Sequence, residues 1–314
     1  MSQENFKKSI ENIKKQFFCC VLIKNLNIES IENLSSWDNQ NTLIEETVNS
    51  QQILKYPIKI SYQTAFIKHI IEVLIKQNAE INDVVYDALG RLMALIDSKI
   101  NFKHYLFNEE RIILMENSSI ISEGTTGLCT WRASLILSEW SLENKEIFMN
   151  KRILELGSGI GLTGIVITKY CSPKKYIFTD CHDSVLKNLK ENINLNLNSS
   201  NKVNEVRKVS WETVNSDTKE IYECDVTVAA DVVYDSKLFL PLQNTFKFLL
   251  RRGTCSAIFL SCTERNEDTL NEFLNLLLVD NFEIENLKVP SPKYFNWDCN
   301  LIVKMFKITH NNRL

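Results

Sequence analysis

The chain of 314 residues has no excess of positive charge, since 36 Lys and Arg against 39 Asp and Glu leave a net charge of −3. General electrostatic attraction to nucleic acid is therefore excluded, because it needs a basic face. Long apolar runs are also missing; none approaches the ~20 residues that span a bilayer, so no membrane association is expected. Histidine is scarce and scattered over His69, His104, His182 and His310. Cys181-His182 is the one Cys/His neighbour pair, and it lacks further ligands at metal spacing, so no metal site is expected. The nine cysteines are odd in number and include the adjacent Cys19 and Cys20. That argues against a disulfide framework and, with no signal-type start, points to a soluble, monomeric protein of the reducing cytoplasm. Repeats and low-complexity tracts are absent, and the asparagine-rich stretch Asn192 to Asn201 reads as a helix end and loop.

What is present is a 44% apolar content, enough for a packed core in one large or two moderate domains. Glycine and proline are nearly missing from the first hundred residues, where Gly90 and Pro57 are the sole examples. Apolar residues recur there at steps of three and four: Phe6, Ile10, Ile13, Phe17 and Val21; then Phe66, Ile67, Ile70, Ile71, Leu74 and Ile75; then Val84, Val85, Leu89, Leu92, Met93 and Ile96. Asn82 or Asp83 is placed to cap the third helix. Lys7, Lys8, Lys14 and Lys15 read as a solvated face. Residues 1–99 are thus expected to form a helical region with apolar faces too extensive for water, which should pack on the rest of the chain or on a partner.

Near residue 102 the period changes. Segments 102–107 and 111–115 flank Asn108-Glu109-Glu110 as a β-hairpin, and a helix is expected from Trp131 to Asn144. From Arg152 strand and helix alternate, with strands at 152–156, 175–179, 204–209, 225–230, 256–261, 282–287 and 301–306, and helices at 162–171, 183–196, 236–250 and 266–279. Alternation of this kind predicts an α/β domain over 100–314: a seven-stranded Rossmann-like sheet with ligands at the carboxyl ends of its strands. A Pro290/Pro292 loop, too short for a parallel crossover, joins the last two strands, so the final strand should run antiparallel.

Four of the eight glycines, Gly157, Gly159, Gly161 and Gly164, crowd the point where the strand 152–156 turns into a helix. Such a turn brings bare backbone N–H groups and a helix N-terminus close to a nucleotide-like ligand. Asp180 follows about twenty residues on, at the end of the next strand, where an acid can accept hydrogen bonds from ribose hydroxyls. Two cofactors compete for this loop. The glycine spacing satisfies the dinucleotide fingerprint, but the Tyr170 and Lys174 that hydride chemistry could use are separated by Pro173 and cannot share a helix face. A sulfonium cofactor, S-adenosylmethionine, accounts for more. Glu155, two residues before the first glycine, places a carboxylate near a cationic group. Asp231 and Tyr234, past the strand ending at Ala230, face the region where a methyl would project.

The stretch Gly124-Thr125-Thr126-Gly127-Leu128-Cys129-Thr130-Trp131, the loop Glu155-Leu156-Gly157-Ser158-Gly159-Ile160-Gly161-Leu162, Ser210-Trp211 and Asp231-Val232-Val233-Tyr234 together resemble the seven-β-strand protein-lysine methyltransferases. The resemblance is greatest to those members that act on eukaryotic elongation factor 2, and it covers roughly residues 100–314. It implies that Trp131 packs beside S-adenosylmethionine, that Glu155, Gly157 and Gly159 cradle its methionine side, that Asp180 holds the ribose, that Trp211 borders the adenine and that Ala230 lines the floor. Asp231 and Tyr234 would then be catalytic and meet the incoming lysine of a protein substrate, elongation factor 2. Two positions depart from the pattern: Arg132 stands where an acidic or small residue is commoner, and Ser210 where an acid is.

Each position also has a plainer reading. Trp131 and Trp211 could be core aromatics, Asp231 could cap a helix near Ser236, and Asp180 could cap the helix at Asp183. The chemistry sets a further condition. An ordinary lysine must give up its proton before attack, at a cost of about 4.6 kcal/mol at pH 7. A carboxylate such as Asp231 opposes that loss, so it is expected to capture and orient the amine rather than act as a strong base. Competing functions are a methyltransferase of another protein, a small molecule or nucleic acid, and a catalytically idle module that docks a translation factor.

Overall fold

The computed structural model describes residues 2–31, 33–107, 110–119, 121–122, 124–197, 203–214, 223–252, 254–297 and 301–310. The chain divides into two compact units, Met1–Ser119 and Ile120–Leu314. The hairpin turn residues Asn108 and Glu109, and the asparagine-rich stretch beyond Leu197, lie outside the described residues.

The first unit contains helices α1 (Ser2–Phe18), α2 (Trp37–Glu46), α3 (Gln51–Lys55), α4 (Ile60–Lys76) and α5 (Asp83–Met93), followed by a hairpin of β1 (Ile100–Phe107) and β2 (Glu110–Asn117). Ile10, Ile13 and Phe17 of α1, Phe66, Ile67, Ile70 and Leu74 of α4, and Val85 and Leu92 of α5 share one core. Much of each apolar stripe is therefore covered by the others, while Ile75, Met93 and Ile96 remain exposed. Two of the stripes overrun their helices. Cys20 takes φ 59°, and Val21 N–H bonds to the Gln16 carbonyl at 3.0 Å. This is the left-handed closure that ends a helix, so Val21 lies beyond α1. Asn82 caps α5 through Val84 N–H at 3.1 Å, as expected, but the helix stops at Met93 and leaves Ile96 91% exposed.

The hairpin belongs to this unit by its contacts. Phe102 N–H donates to the Pro57 carbonyl at 3.0 Å, and His104 Nε2 to that of Tyr56 at 2.8 Å. His104 is fully buried, and burial pushes its pKa down to about 4. Beside it Lys103 pairs with Glu116 at 3.1 Å. Burial alone would lower the lysine pKa, but the carboxylate more than reverses this.

The second unit begins with α6 (Arg132–Glu143) and continues β3 (Arg152–Leu156), α7 (Leu162–Tyr170), β4 (Lys175–Asp180), α8 (Asp183–Asn196), β5 (Asn204–Lys208), β6 (Val226–Ala230), α9 (Phe239–Arg252), β7 (Ile258–Thr263), α10 (Glu267–Val279), β8 (Phe282–Leu287) and β9 (Val303–His310). Its seven strands are ordered β5-β4-β3-β6-β7-β9-β8. The first five are parallel, and β9 runs antiparallel to both β7 and β8. This is the predicted α/β sheet with its reversed final strand. Strand β9 extends past the expected 306 because its pairing with β8 continues to His310 opposite Phe282. Leu154 and Leu156 of β3 enter the core shared with Phe246 of α9 and Phe273 of α10. Strand order reverses between β3 and β6, which opens a crevice at their carboxyl ends.

Candidate active site

Between the end of β3 and the start of α7, Gly157, Gly159 and Gly161 take φ of 64°, 53° and 93°. At Gly157 glycine is required for two reasons: the positive φ, and a Cβ that would lie 2.9 Å from Val232 Cγ1 and 3.5 Å from Trp211 Cζ2. The loop is pinned to β4, since Ser158 N–H donates to the Thr179 carbonyl at 2.8 Å and Ser158 Oγ accepts from Thr179 N–H at 3.0 Å. Asn192 of α8 holds the Ile160 carbonyl at 3.0 Å.

This loop forms one wall of a cleft at the carboxyl ends of β3, β4 and β6. Trp131, Gly157, Gly159, Asp180, Trp211, Ala230, Asp231 and Tyr234 all line it. The cleft holds a cavity of about 160 Å³ that opens to solvent at its mouth. Thr126, Gly127, Cys181, Val232 and Glu212 line it too, although sequence reasoning assigned them no role. Thr126 and Gly127 lie in a stretch that carried the resemblance, and Trp131 Nε1 fastens it by donating to the Thr126 carbonyl at 2.9 Å. Glu212 supplies an acid to the cleft two residues beyond Ser210, the position at which an acid is commoner in the family. Arg132 turns elsewhere and donates to the Leu301 carbonyl at 3.3 Å.

Asp180 Oδ2 accepts from Gly159 N–H at 3.2 Å and Oδ1 from His182 N–H at 3.1 Å. Burial raises its pKa, and those N–H groups work against the rise. His182, not Asp180, is the N-cap residue of α8, and it makes no side-chain cap bond.

Asp231 is 9% exposed and takes φ 56°, a strained conformation for a residue with a Cβ. The bend turns its side chain back toward β7. Oδ1 accepts from Thr263 N–H at 2.8 Å and Oδ2 from the Thr263 hydroxyl at 2.9 Å. Arg265 reaches the same two oxygens at 3.4 and 3.2 Å. The carboxylate is thus occupied, and its expected role of capturing an ammonium group does not follow from this geometry. Nor is it a helix cap, because Asp235 performs that task by accepting from Lys237 N–H at 3.0 Å. Tyr234 is half-exposed at the mouth; partial burial raises the phenol pKa, and Cys181 and Asp180 add to the rise.

Glu155 is the predicted residue that the cleft does not include. Its side chain is on the opposite face of β3 from Leu154 and Leu156, 2% exposed, with Ser158 and Tyr176 around it. Burial pushes its pKa up to about 8, and Oε2 has no hydrogen-bond partner among the described residues. A strand alternates its side chains, so an apolar core on one face sends Glu155 to the other, behind the loop.

A sequence profile of the family described as lysine methyltransferase matches residues 108–279. The chain belongs to that family. Among similar curated proteins, the protein-lysine N-methyltransferase EEF2KMT of Mus musculus is 31% identical over 86% of this chain and 84% of its own length. The human EEF2KMT is 28% identical over 96% of both chains. The calmodulin-lysine N-methyltransferase of Arabidopsis thaliana is 28% identical over 51% of this chain and 55% of its own. Among solved structures, M. jannaschii TYW2 in complex with AdoMet is 15% identical with TM-score 0.41, covering 69% of this chain and 89% of that one.

As a lysine methyltransferase this protein uses S-adenosylmethionine, and the cleft fits such a group. Gly157 presents bare backbone beside the Trp211 indole, and the Asp180 carboxylate stands at the end of β4. No helix among the described residues is long and apolar enough to cross a membrane.

Proposed function

We propose that this protein-lysine N-methyltransferase modifies a lysine of elongation factor 2. Shared length carries the reading. The human relative matches over 96% of both chains, which takes in most of the first unit, whereas the calmodulin enzyme matches over only 51% of this chain. A first unit held in common is what a shared protein substrate would leave. We further assign the cleft residues as follows. Asp180 holds the ribose hydroxyls, Trp211 and Glu212 border the adenine, Gly157 and Gly159 give their backbone to the methionine side, and Trp131 and Ala230 close the remaining walls. Tyr234 stands at the mouth where the acceptor amine enters, and Asp231 shapes that mouth. Bound S-adenosylmethionine supplies the electrophilic methyl; the protein aligns the amine with it, so positioning provides much of the acceleration. A cytoplasmic location accords with the lack of any disulfide among the described cysteines.

Incubation with labelled S-adenosylmethionine and purified elongation factor 2, calmodulin and total lysate tests the substrate. Label on one lysine-containing peptide of elongation factor 2 is the expected result. Label on calmodulin, RNA or a metabolite instead would overturn the assignment. Because β1 and β2 share the first unit's hydrogen bonds, a truncation should begin at residue 120 rather than 100. The shortened chain is expected to bind the cofactor and to lose methylation of the intact factor.

A further inference from the structure

Arg265 lies in the loop between β7 and α10, and no role has been given to it. Its guanidinium bridges both oxygens of Asp231 and stands 4.8 Å from the centroid of the Trp131 ring, within cation–π range. The Asp231 side chain is 5% exposed and that of Arg265 41%. With the N–H and hydroxyl of Thr263, the guanidinium completes four donors on a carboxylate that has about four lone-pair directions. One cation thus joins two residues of the cleft, one from the end of β6 and one from the entry to α6. Ionisable groups around it are Cys262, whose thiol burial keeps protonated, Glu264 beside Arg265 in the chain and paired with Lys304, and the group around Tyr234: Asp180, Cys181 and Asp235.

This arrangement bears on the acceptor. The inference rests on the reading that a lysine amine enters at Tyr234. That amine must pass a proton to water before its lone pair can attack, and a bare carboxylate beside it would hold it as ammonium. A guanidinium stays charged across the working pH range and offsets the anion. We propose that Arg265 is a positioning residue of the methyl-acceptor site: it saturates the Asp231 carboxylate and covers Trp131, so that the incoming amine meets a closed ion pair instead of a bare anion.

The pH profile of kcat for the full chain, Arg265→Lys and Arg265→Ala tests this. In Arg265→Ala the acidic limb should move up by about one pH unit, lowering kcat about tenfold at pH 7 with recovery toward pH 9. Arg265→Lys should restore most of the profile, and calorimetry should show cofactor Kd changed by less than about threefold in both variants. Superimposable profiles, or a fall in kcat that is the same at every pH and is not rescued by lysine, would overturn the proposal. So would a cofactor affinity lowered more than about tenfold, which would make Arg265 part of the cofactor wall. A wild-type chain that methylates no protein lysine would refute the functional reading. The contact with Trp131 is then decided separately by acrylamide quenching, with Trp131→Phe subtracted. Quenching that rises in Arg265→Ala supports the arrangement, and unchanged quenching overturns it.

Discussion

Cys20 and Asn78 in the first unit take the left-handed backbone conformation to close helices, and Gly157, Gly159 and Asp231 in the second take it on the wall of the cleft. At the helix ends the strain is met at once by local backbone bonds, such as Ala79 N–H to the Leu74 carbonyl at 3.0 Å. At the cleft the conformation is held by contacts from far along the chain: strained Asp231 depends on Thr263 and Arg265, and Gly159, which as glycine bears no strain, on Asp180. Strain retained by distant partners is what a site needs if its geometry is to persist without its ligand. The first unit spends the same conformation on compactness alone.

The hardest test of this contrast is Gly157→Val. The added side chain meets Val232 and Trp211 at a backbone angle it disfavours. Calorimetry should find no measurable cofactor binding, while circular dichroism shows a folded chain. Retained binding would mean that the left-handed residues of the cleft are as incidental to function as Cys20 is.

Burial of ionisable groups sharpens the comparison, since each unit hides one against its ordinary charge state. Glu155 has a folded pKa of about 8, raised by burial above its unfolded value. The folded chain then binds the extra proton, and stability is lost as pH rises from about 4.5 through 8, by roughly 5 kcal/mol in full. Glu155→Gln should abolish this decline, read as hydrogen exchange at the β3 amides after correction for intrinsic rates. A wild-type β3 equally protected at pH 5 and pH 9 would contradict it.

His104 runs the other way. Its folded pKa of about 4 lies below the unfolded value because burial disfavours the imidazolium. The stability is therefore complete above about pH 6.5 and is lost as pH falls toward 4, by about 3 kcal/mol. His104→Gln keeps a donor near the Tyr56 carbonyl and should flatten the acid limb of protection at the β1 amides, leaving β3 unchanged. A limb that persists in the variant would place the titrating group elsewhere.

These cases also mark what the sequence could disclose. Apolar spacing identified α1, α4 and α5 of the first unit, though not α2 or α3, and the strand–helix alternation of the second, because periodicity reports which face is buried. Glycine crowding and the acid after the next strand located the cleft, because each needs its own backbone environment. Periodicity could not say where α1 stops, since that depends on Cys20 adopting a conformation rare for cysteine. Nor did it show how much of the first unit's stripes is covered by one another. The burial of Glu155 and the bonds made by Asp231 escaped the motifs for a common reason. A motif gives the order of residues along the chain, whereas the direction of a side chain depends on strand alternation in one case and on a bond to Thr263 in the other. Arg265 had no local signal; only the adjacency of β7 to β6 in the sheet brings it to Asp231.

The smallest expected effect closes the comparison from the first unit's side. Gly90 sits within α5, with no atom within 4 Å of where a Cβ would be and no positive φ. Glycine is there a helix residue with excess freedom in the unfolded chain, so Gly90→Ala should stabilise the first unit by about 0.5–1 kcal/mol. Exchange at the α5 amides should slow accordingly, with cofactor affinity unaltered. One residue type then gives opposite outcomes under the addition of a methyl or slightly more: loss of the ligand at Gly157, a modest gain in stability at Gly90. Destabilisation by Gly90→Ala would mean that the first unit, too, reserves space or backbone freedom at its glycine, and the division of labour drawn between the two units would fail.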